Sequence, residues 1–364
     1  MKPADVIPKF KPLFRDSVGR LVLGKGNALY RRTDEGVIEF LVALPESTRN
    51  RLLAKSRWAF RLARLGFGTG AYFKGLYFFS YGPNLYSYCP EQSELRHELS
   101  FRAGRGPLSF TVIEGVEGFE DGIYFGEYFG NRQREPVHVY KREQNASWRV
   151  LYSFTAGEIN HIHSLVPDQA RNCVWLLAGD FEHSASIWMV KSGFNDVHPI
   201  LRGEQAYRAC VAFPLEKGLL YATDTQITRN SLRLLVNHGG DWVSEPLIDI
   251  NGSCIYGTEL RDYFVFSTAT EPSDQVSNPI LSLLDCRPGP GILKNKSDVL
   301  IVRKADLSCH LLFSKKKDFL PYRLFQFGAV LFPHGASPDN TLFCYSIGNR
   351  GNDLSTEVYY LGSE

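Results

Sequence analysis

The 364-residue sequence predicts an all-β fold, a β-propeller for which seven blades are favoured over six. Strand-like runs of apolar and aromatic residues, separated by Gly, Asn, Asp and Pro turns, dominate the chain after residue 70. A unit of four such runs recurs about every 45–55 residues, a period typical of four-stranded propeller blades. Four successive copies also close one run with a carboxylate, in IYFGEYFGN, VWLLAGDFE, LLYATDTQ and FVFSTATEP.

The blade pattern is clearest in residues 158–203. INHIHSLV, RNCVWLLAGD and SASIWMVKS are its first three predicted strands, and the turn GFND leads to VHPILRG as the fourth. The units on either side repeat this order, from PLSFTVIEG to WRVLYSF before it and from YRACVAFP to WVSEPLID after it. Weaker copies flank these three units, so residues 1–364 are interpreted as a single propeller domain.

The number of blades follows from counting the third strand of each unit. Seven segments qualify: NALYRR, NLYSYC, VHVYKR, SIWMVKS, SLRLLVN, DVLIVRK and EVYYLG. Six blades are the alternative if the first and last pieces of the chain combine. In that case the N-terminal segment would close the ring, and closure removes exposed sheet edges.

Two segments interrupt the strand pattern. Residues 47–65 have helical character, with Ser47 or Thr48 as the N-cap and Gly66 as the stop signal. Six Lys and Arg residues make this insertion basic. A basic helix suits a solvated face packed on the propeller, or a contact with an anionic surface or a protein partner. Residues 272–297 are rich in Pro, Gly, Ser and Asn and predict a long loop over one end of the propeller.

Composition narrows the classes of function. The formal net charge of +2 gives no strong field for binding nucleic acid. The seven cysteines are odd in number and lack a metal-binding spacing, which is typical of reduced thiols. The N-terminus lacks the apolar core of a signal peptide, and no apolar run approaches the length of a membrane span. We therefore expect a soluble, cytoplasmic protein with no transmembrane segment.

The carboxylates that close the strands identify the candidate site. In a propeller the first strand of each blade lines the axis, and the second strand returns to the face where the first began. The carboxylates at the ends of second strands are the candidate catalytic residues: Glu127, Asp180, Asp224 and Glu271. Polar and aromatic residues near the starts of first strands share that face and are the candidate substrate-binding residues: His161, His163, Gln205, Tyr207, Arg208 and Tyr256.

These residue types allow both a chemical and a purely structural role. Two facing carboxylates suit glycoside cleavage, in which one protonates the leaving oxygen and the other attacks or activates water. A single carboxylate often caps its own turn. His161 and His163 lie two apart on a strand, so they suit ligand contacts, a divalent metal or a structural role. Arg208 suits a substrate carboxylate or phosphate, or an ion pair with Asp180 or Asp224.

The turns between third and fourth strands carry a further pattern. KREQNASWRV (141–150) and VNHGGDWVS (236–244) occupy this position with Trp148 and Trp242, and KSGFNDVHP has the turn alone. These segments resemble the Asp box, roughly Ser-x-Asp-x-Gly-x-Thr-Trp, of sialidase-like β-propellers with BNR repeats. FGEY, INHIHS, AGD, QAYRA and ATDT are also similar to bacterial glycosyl hydrolase-like propellers. The resemblance implies an axial pocket that handles glycans, with Arg208 and Tyr256 in two of the roles of a sialidase site.

The favoured functional hypothesis is a carbohydrate-active enzyme. It would be glycoside hydrolase-like and would use paired carboxylates, without a cofactor, on a neutral or acidic glycan in the axial pocket. One alternative is a non-catalytic propeller that binds a glycan or a protein. Another is a metal-dependent lyase that uses the two histidines, or a glycosyltransferase that acts in surface polysaccharide metabolism.

Overall fold

The computed structural model describes residues 1–180 and 182–362. Within these residues, twenty-eight strands pair into seven antiparallel sheets of four strands each. Each sheet is built from consecutive strands, except that the first strand of the chain joins the last sheet. The architecture is a seven-bladed β-propeller. The predicted all-β propeller and the preference for seven blades are confirmed, and the six-bladed alternative is wrong.

The chain begins with one strand of blade seven and then builds blades one to four in order. The strands are β1 (Asp5–Pro8) in blade seven; β2 (Lys11–Arg15), β3 (Leu21–Lys25), β4 (Ala28–Arg32) and β5 (Ile38–Ala43) in blade one; β6 (Phe67–Phe73), β7 (Leu76–Tyr81), β8 (Asn84–Cys89) and β9 (Glu94–Ser100) in blade two; β10 (Thr111–Ile113), β11 (Gly122–Gly126), β12 (Val137–Arg142) and β13 (Trp148–Phe154) in blade three; and β14 (His161–Asp168), β15 (Cys173–Gly179), β16 (Ser186–Lys191) and β17 (Asp196–Arg202) in blade four.

Blades five to seven complete the ring. The strands are β18 (Ala209–Leu215), β19 (Gly218–Thr223), β20 (Asn230–His238) and β21 (Asp241–Ile250) in blade five; β22 (Cys254–Glu259), β23 (Tyr263–Thr268), β24 (Lys296–Arg303) and β25 (Cys309–Lys316) in blade six; and β26 (Ala329–Leu331), β27 (Thr341–Ile347) and β28 (Ser355–Tyr360) in blade seven. The seven predicted third strands correspond to β4, β8, β12, β16, β20, β24 and β28.

Helical segments lie in the connections between strands. They are α1 (Thr48–Leu53), α2 (Arg57–Leu62), α3 (Pro279–Leu284) and α4 (Tyr322–Phe325), with short 3-10 turns at Gln169–Arg171, Glu182–Ser184, Ser192–Phe194 and Gln205–Tyr207. Among the described residues, none belongs to a helix with the length and apolarity that crossing a membrane requires.

Packing between blades explains why the second strands are continuous apolar runs. Side chains alternate between the two faces of a strand. In β15, Val174 and Leu176 pack into the core shared with blade three, whereas Trp175 and Leu177 pack into the core shared with blade five. Every residue of β15 is buried, while the outer strand β17 exposes several of its residues. An inner strand that is covered on both faces has no polar positions to alternate with apolar ones.

The N-terminal strand closes the ring. β1 pairs with β28, and Ile7 lies opposite Thr356 in this ladder. Ile7 is buried in a cluster with Leu21 and Phe343, which joins blade seven to blade one. The first and last strands of the chain therefore belong to the same blade, and the fourth strand of blade seven comes from the N-terminus.

The predicted helical insertion consists of two helices that lie on the face where the first strands begin. The Ser47 hydroxyl caps α1 by accepting a hydrogen bond from the Asn50 backbone at 3.2 Å, and Ser56 caps α2 in the same way. The second capping serine explains why a new helix begins there. The chain leaves α2 before Gly66, whose φ of +95° suits glycine.

Arg61 anchors α2, which follows blade one, to the neighbouring blade seven and to the connection before that blade. Its side chain is fully buried and forms ion pairs with Asp318 and, at 3.2 Å, with Asp353. Its Nε donates to the carbonyl of Phe325 at 2.7 Å, and its Nη2 donates to that of Gln326 at 3.3 Å. These partners belong to blade seven and to the connection before it, so α2 crosses the face of the propeller. This arginine is thus packed inside the protein, unlike the solvated basic face that the sequence suggested.

The loop at 272–297 joins the second and third strands of blade six and contains α3. Asp274 accepts a hydrogen bond from Gln226 Nε2 at 3.1 Å and forms an ion pair with Arg323 of α4. The loop therefore lies on the same face as α2 and α4, beside the ends of the second strands.

We predict that Arg61→Ala lowers the free energy of unfolding by about 3–5 kcal/mol, because it removes the buried cation that two buried carboxylates share. Of its ion pairs among the described residues, Asp318 would keep only the one with Lys317. Asp353 would keep only Arg57 at 4.0 Å as a cationic partner in the same part of the chain. Arg57→Ala is the matched control, since its side chain is 46% exposed and its nitrogen lies 4.0 Å from Asp353. The control should cost at most about 1 kcal/mol. Urea denaturation measures both values, and equal losses in the two variants would contradict the anchoring role of Arg61.

Candidate functional site in the axial cavity

A cavity of about 1890 Å³ runs along the propeller axis. First-strand residues of several blades line it, and α2 and the connecting loops line it on the face where the second strands end. We call this space the axial cavity. Six of the predicted site residues line it: Asp180, Asp224, Glu271, His163, Arg208 and Tyr256. His161 lies directly behind His163, so the structure brings together seven of the ten predicted residues.

Asp180 is the meeting point of these side chains. Its Oδ1 lies 3.2 Å from His161 Nε2, 3.2 Å from His163 Nε2 and 3.0 Å from Arg208 Nη2. Burial acts to raise the pKa of Asp180, but the two imidazoles and the Arg208 guanidinium outweigh it and hold this pKa well below its usual range. The Asp180 carboxylate is therefore negatively charged at neutral pH.

Backbone carbonyls fix the orientation of both imidazole rings. Nδ1 of His161 donates to the carbonyl of Phe129 at 2.9 Å, and Nδ1 of His163 donates to that of Ala209 at 2.8 Å. With the proton on Nδ1, a neutral ring presents a lone pair at Nε2. Burial lowers the pKa of His161, which favours its neutral form. The two Nε2 atoms are 3.0 Å apart, so they converge with Asp180 Oδ1 on a single point that suits a cation or a shared proton.

Local sequence explains how the two rings reach Asp180. The pairing of β14 with β15 shifts register between Ile162 and Ser164, which forms a bulge at His163. A Cβ atom on Gly179 would overlap the His163 ring. Gly179, the small residue before the carboxylate in AGD, therefore leaves the space that the His163 imidazole occupies.

Arg208 lies between two carboxylates. Its Nη2 is 3.0 Å from Asp180 and 3.5 Å from Asp224, and its Nη1 donates to Gln226 Oε1 at 3.0 Å. Burial disfavours the charge of this guanidinium, but Asp224 and Asp180 outweigh burial and raise the pKa of Arg208. Of the two roles that the sequence left open, the ion pair with Asp180 and Asp224 is the one that the structure contains.

Asp224 and Glu271 each keep one buried carboxylate oxygen without a partner among the described residues. Oδ2 of Asp224 accepts a hydrogen bond from Cys210 Sγ at 3.1 Å. Asp224 Oδ1 and Glu271 Oε2 are inaccessible to solvent, and neither has a hydrogen-bond partner among the described residues. Burial and the charge of Asp224 raise the pKa of Glu271 to about 8. Unpartnered buried oxygens of this kind suit hydrogen bonds to a ligand.

Aromatic and cationic groups complete the wall of the axial cavity. The Tyr128 ring lies 4.5 Å from the His161 ring, and the Arg105 guanidinium covers Tyr128 at 4.5 Å from its centroid. Burial raises the pKa of Tyr256 to about 12, so its phenol remains neutral. Arg64 and Arg105 both line the cavity. Burial, followed by the charge of Arg105, lowers the pKa of Arg64.

Arg64 and Arg105 are cavity residues that the sequence did not identify. Arg64 belongs to the basic helical insertion, and Arg105 belongs to the GRGP turn. Both lie in connections between blades, outside the strand pattern from which the site was predicted. Arginines next to turns are common on protein surfaces. Arg64 and Arg105 differ from such surface arginines only because their connections lie over the cavity, which the sequence does not reveal.

The structure corrects the expected position of Glu127. Arg102 binds both of its oxygens, at 3.1 Å through Nε and at 3.0 Å through Nη2. The backbone N–H of His138 also donates to Glu127 Oε2 at 3.0 Å. These bonds hold Glu127 within its own blade, beside Tyr140 and outside the axial cavity. It caps its own loop, which is the structural role that a single strand-end carboxylate often has.

Gln205 and Tyr207 lie outside the axial cavity, and Gln205 contacts a site residue. Gln205 Nε2 donates to the backbone carbonyl of Asp180 at 2.8 Å, so it positions that carboxylate without lining the cavity. Tyr207 lies outside the cavity lining as well. Burial, followed by the nearby Glu204 charge, raises its pKa.

Comparisons with known proteins support the fold and do not identify a family. No family model matches the chain, and no curated protein is significantly similar to it. The mitotic checkpoint complex contains a similar chain, with a TM-score of 0.59, 8% identity, and coverage of 100% of this chain and 95% of that chain. The Cps50 (Swd1) β-propeller domain of Myceliophteria thermophila is also similar, with a TM-score of 0.56, 7% identity and coverage of 99% of each chain.

A third similar structure is the extracellular domain of a putative hybrid two-component system from B. thetaiotaomicron. Its TM-score is 0.53 at 13% identity, and the match covers 98% of this chain and 41% of that chain. At these identities the likeness shows the propeller fold alone. The sialidase-like resemblance is not confirmed, although Trp148 and Trp242 do lie at or just after the turns between third and fourth strands.

We predict that Glu271→Gln changes how stability depends on pH. A pKa raised from 4.5 to about 8 means that the folded protein keeps a proton that the unfolded chain releases. This stabilisation is fully present below pH 4.5 and is lost as the pH rises through about 8. The glutamine side chain at position 271 does not titrate. As the pH rises across this window, the free energy of unfolding should therefore fall in the wild type relative to that of the variant. Denaturant unfolding at several pH values measures the difference, and parallel curves would contradict the assignment.

Proposed function

We propose that this protein is a glycosidase-like enzyme that acts on an acidic glycan in the axial cavity. The observation that carries the proposal is the pairing of Glu271 with Asp224. One oxygen of each is buried and lacks a partner among the described residues, and the two carboxyls lie in different electrostatic environments. Two carboxyls whose environments separate their protonation states can divide the acid and base roles of glycoside cleavage.

Glu271 is the proposed general acid. Burial and the Asp224 charge raise its pKa to about 8, so at neutral pH it retains a proton that it can give to the leaving oxygen. Asp224 is the proposed base or nucleophile. The Arg208 guanidinium lies 3.5 Å from its Oδ2, and its Oδ1 has no partner among the described residues. Arg208 is thus a positioning residue that holds one member of the pair in place.

The charge of the cavity wall supports an acidic substrate. Ten Lys and Arg residues line the axial cavity, compared with five Asp and Glu residues. Two of the carboxylates, Asp180 and Asp224, are already paired with Arg208. Arg64, Arg105, Tyr128 and Tyr256 all line the cavity, and the Arg105 guanidinium lies over the Tyr128 ring. A sugar carboxylate in the cavity could therefore bind guanidinium groups while its ring packs against an aromatic face.

A second candidate is a propeller that binds an acidic glycan without cleaving it. The Asp224–Arg208 ion pair and the Cys210 hydrogen bond favour it, because both hold Asp224 in the protein. Under this alternative the same cavity and the same cations bind the ligand, and no bond is broken.

We predict that Glu271→Gln and Asp224→Asn lower kcat by about 10²–10⁴-fold and leave binding in place, because each removes one proton-transfer group. The substrates are pools of oligosaccharides of galacturonic, glucuronic and sialic acids, and the assay counts new reducing ends. Binding is followed as a rise in melting temperature with ligand. Asp168→Asn is the matched control, since Asp168 is a buried carboxylate that binds Arg171 and Trp175 at the far end of β14.

The outcomes separate the two candidates. Turnover that is lost in the two site variants and kept in Asp168→Asn supports the enzyme. Full turnover in both site variants overturns the assignment of Glu271 and Asp224. Binding of an acidic pool without new reducing ends replaces the enzyme with the binding propeller.

A further inference from the structure

We propose that His161, His163 and Asp180 bind one divalent first-row transition-metal ion, of which Zn²⁺ fits the donors best. The site goes beyond the proposed glycosidase chemistry, which uses Glu271 and Asp224 and needs no metal. It is a separate property of the same cavity, and it can be tested without any glycan.

The three donor atoms have the spacing of a metal site. His161 Nε2 and His163 Nε2 are 3.0 Å apart, and each lies 3.2 Å from Asp180 Oδ1. Ligand bonds to zinc of about 2.0–2.2 Å in a tetrahedron place neighbouring ligand atoms roughly 3.3–3.5 Å apart. A small outward movement of these three atoms is therefore enough to hold the ion. Two imidazoles and one carboxylate are a donor set that zinc and related ions prefer over calcium or magnesium.

The orientation of the His161 and His163 rings is the one that metal binding requires. Each Nδ1–H is committed to a backbone carbonyl, of Phe129 for His161 and of Ala209 for His163. Metal-binding histidines almost always donate their other ring N–H in this way, which fixes the tautomer and aims the Nε2 lone pair. Without a positive species between them, three lone pairs would face one another at close range inside the protein.

The surrounding charges also favour a cation. Asp180 and Asp224 both contact one guanidinium, that of Arg208, so a single cation is shared between two carboxylates. Arg208 contacts the same Asp180 oxygen at 3.0 Å, and in the proposed site it remains as an outer hydrogen-bond partner of that ligand.

The site faces the axial cavity on one side. His163 and Asp180 line the cavity, and the Asp180 side chain is 20% exposed. Tyr128, which also lines the cavity, packs beside the site with its ring 4.5 Å from that of His161. Three protein ligands and an open position are typical of zinc sites that take a water or a ligand oxygen as the fourth partner. Here that partner would be a carboxylate or hydroxyl oxygen of a molecule in the cavity.

The competing explanation is a proton. If one imidazole were doubly protonated, its Nε2–H could donate to Asp180 and to the other ring, and no metal would be needed. The two explanations differ in what binds and not in the arrangement of the side chains. A direct measurement of metal binding therefore distinguishes them.

The test is calorimetric titration of the chelator-treated full chain with Zn²⁺, alongside Co²⁺, Mg²⁺ and Ca²⁺. We expect one equivalent of Zn²⁺ or Co²⁺ and no binding of Mg²⁺ or Ca²⁺. His161→Gln and His163→Gln should each weaken Zn²⁺ binding on the order of 100-fold or more, since loss of an outer partner alone costs about 10–100-fold. His238→Gln is the matched control, because His238 forms an exposed pair with Glu245 at 3.0 Å.

Several outcomes would overturn the site. One is the absence of Zn²⁺ binding by the wild type, which would assign the central position to a proton. Another is equal Zn²⁺ affinity in all three His variants. If the site variants do not fold, X-ray absorption of the wild-type Zn²⁺ complex decides. Two imidazole nitrogens and light oxygen donors support the proposal, and a sulfur ligand would instead place the ion at Cys210.

Discussion

Arg208 is the group on which the axial site depends. It bridges Asp180 and Asp224, which come from the second strands of two neighbouring blades. Without its charge, the buried carboxylates would repel one another and would lose solvation with no compensation. The cost of crowding is still visible at Glu271, whose pKa rises to about 8. The axial cavity therefore contains both a cation that stabilises two carboxylates, Arg208, and a carboxyl group with a raised pKa, Glu271.

The propeller strands determine where the site residues lie, and the connections between strands determine which other side chains surround them. Every blade brings the end of its second strand to the same face, so equivalent residues gather around the axis. The chemistry then varies with what each connection adds. In blade four the bulge at His163 and the missing side chain of Gly179 make room for two imidazoles. Over blades six and seven, α2 is held down by Arg61 and brings Arg64 to the cavity.

Much of the fold could be predicted from the sequence, because inner strands buried on both faces leave long apolar runs at a regular spacing. All seven third strands were found in this way, and so was the gathering of Asp180, Asp224 and Glu271. The same reasoning misplaced Glu127. The strand before Glu127 does end at the face of the site. However, Arg102 from the preceding connection binds both oxygens of Glu127 and holds it outside the cavity. Strand periodicity carries no information about connections, so it could not reveal Arg102, Arg64 or Arg105.

A crystal structure of the protein soaked with a short hexuronic acid oligosaccharide would test the proposed glycosidase site directly. We expect a sugar in the axial cavity with a glycosidic oxygen within hydrogen-bond distance of Glu271, and with a sugar carboxylate near Arg64 and Arg105. A sugar bound elsewhere, with no contact to Asp224 or Glu271, would contradict the proposed site.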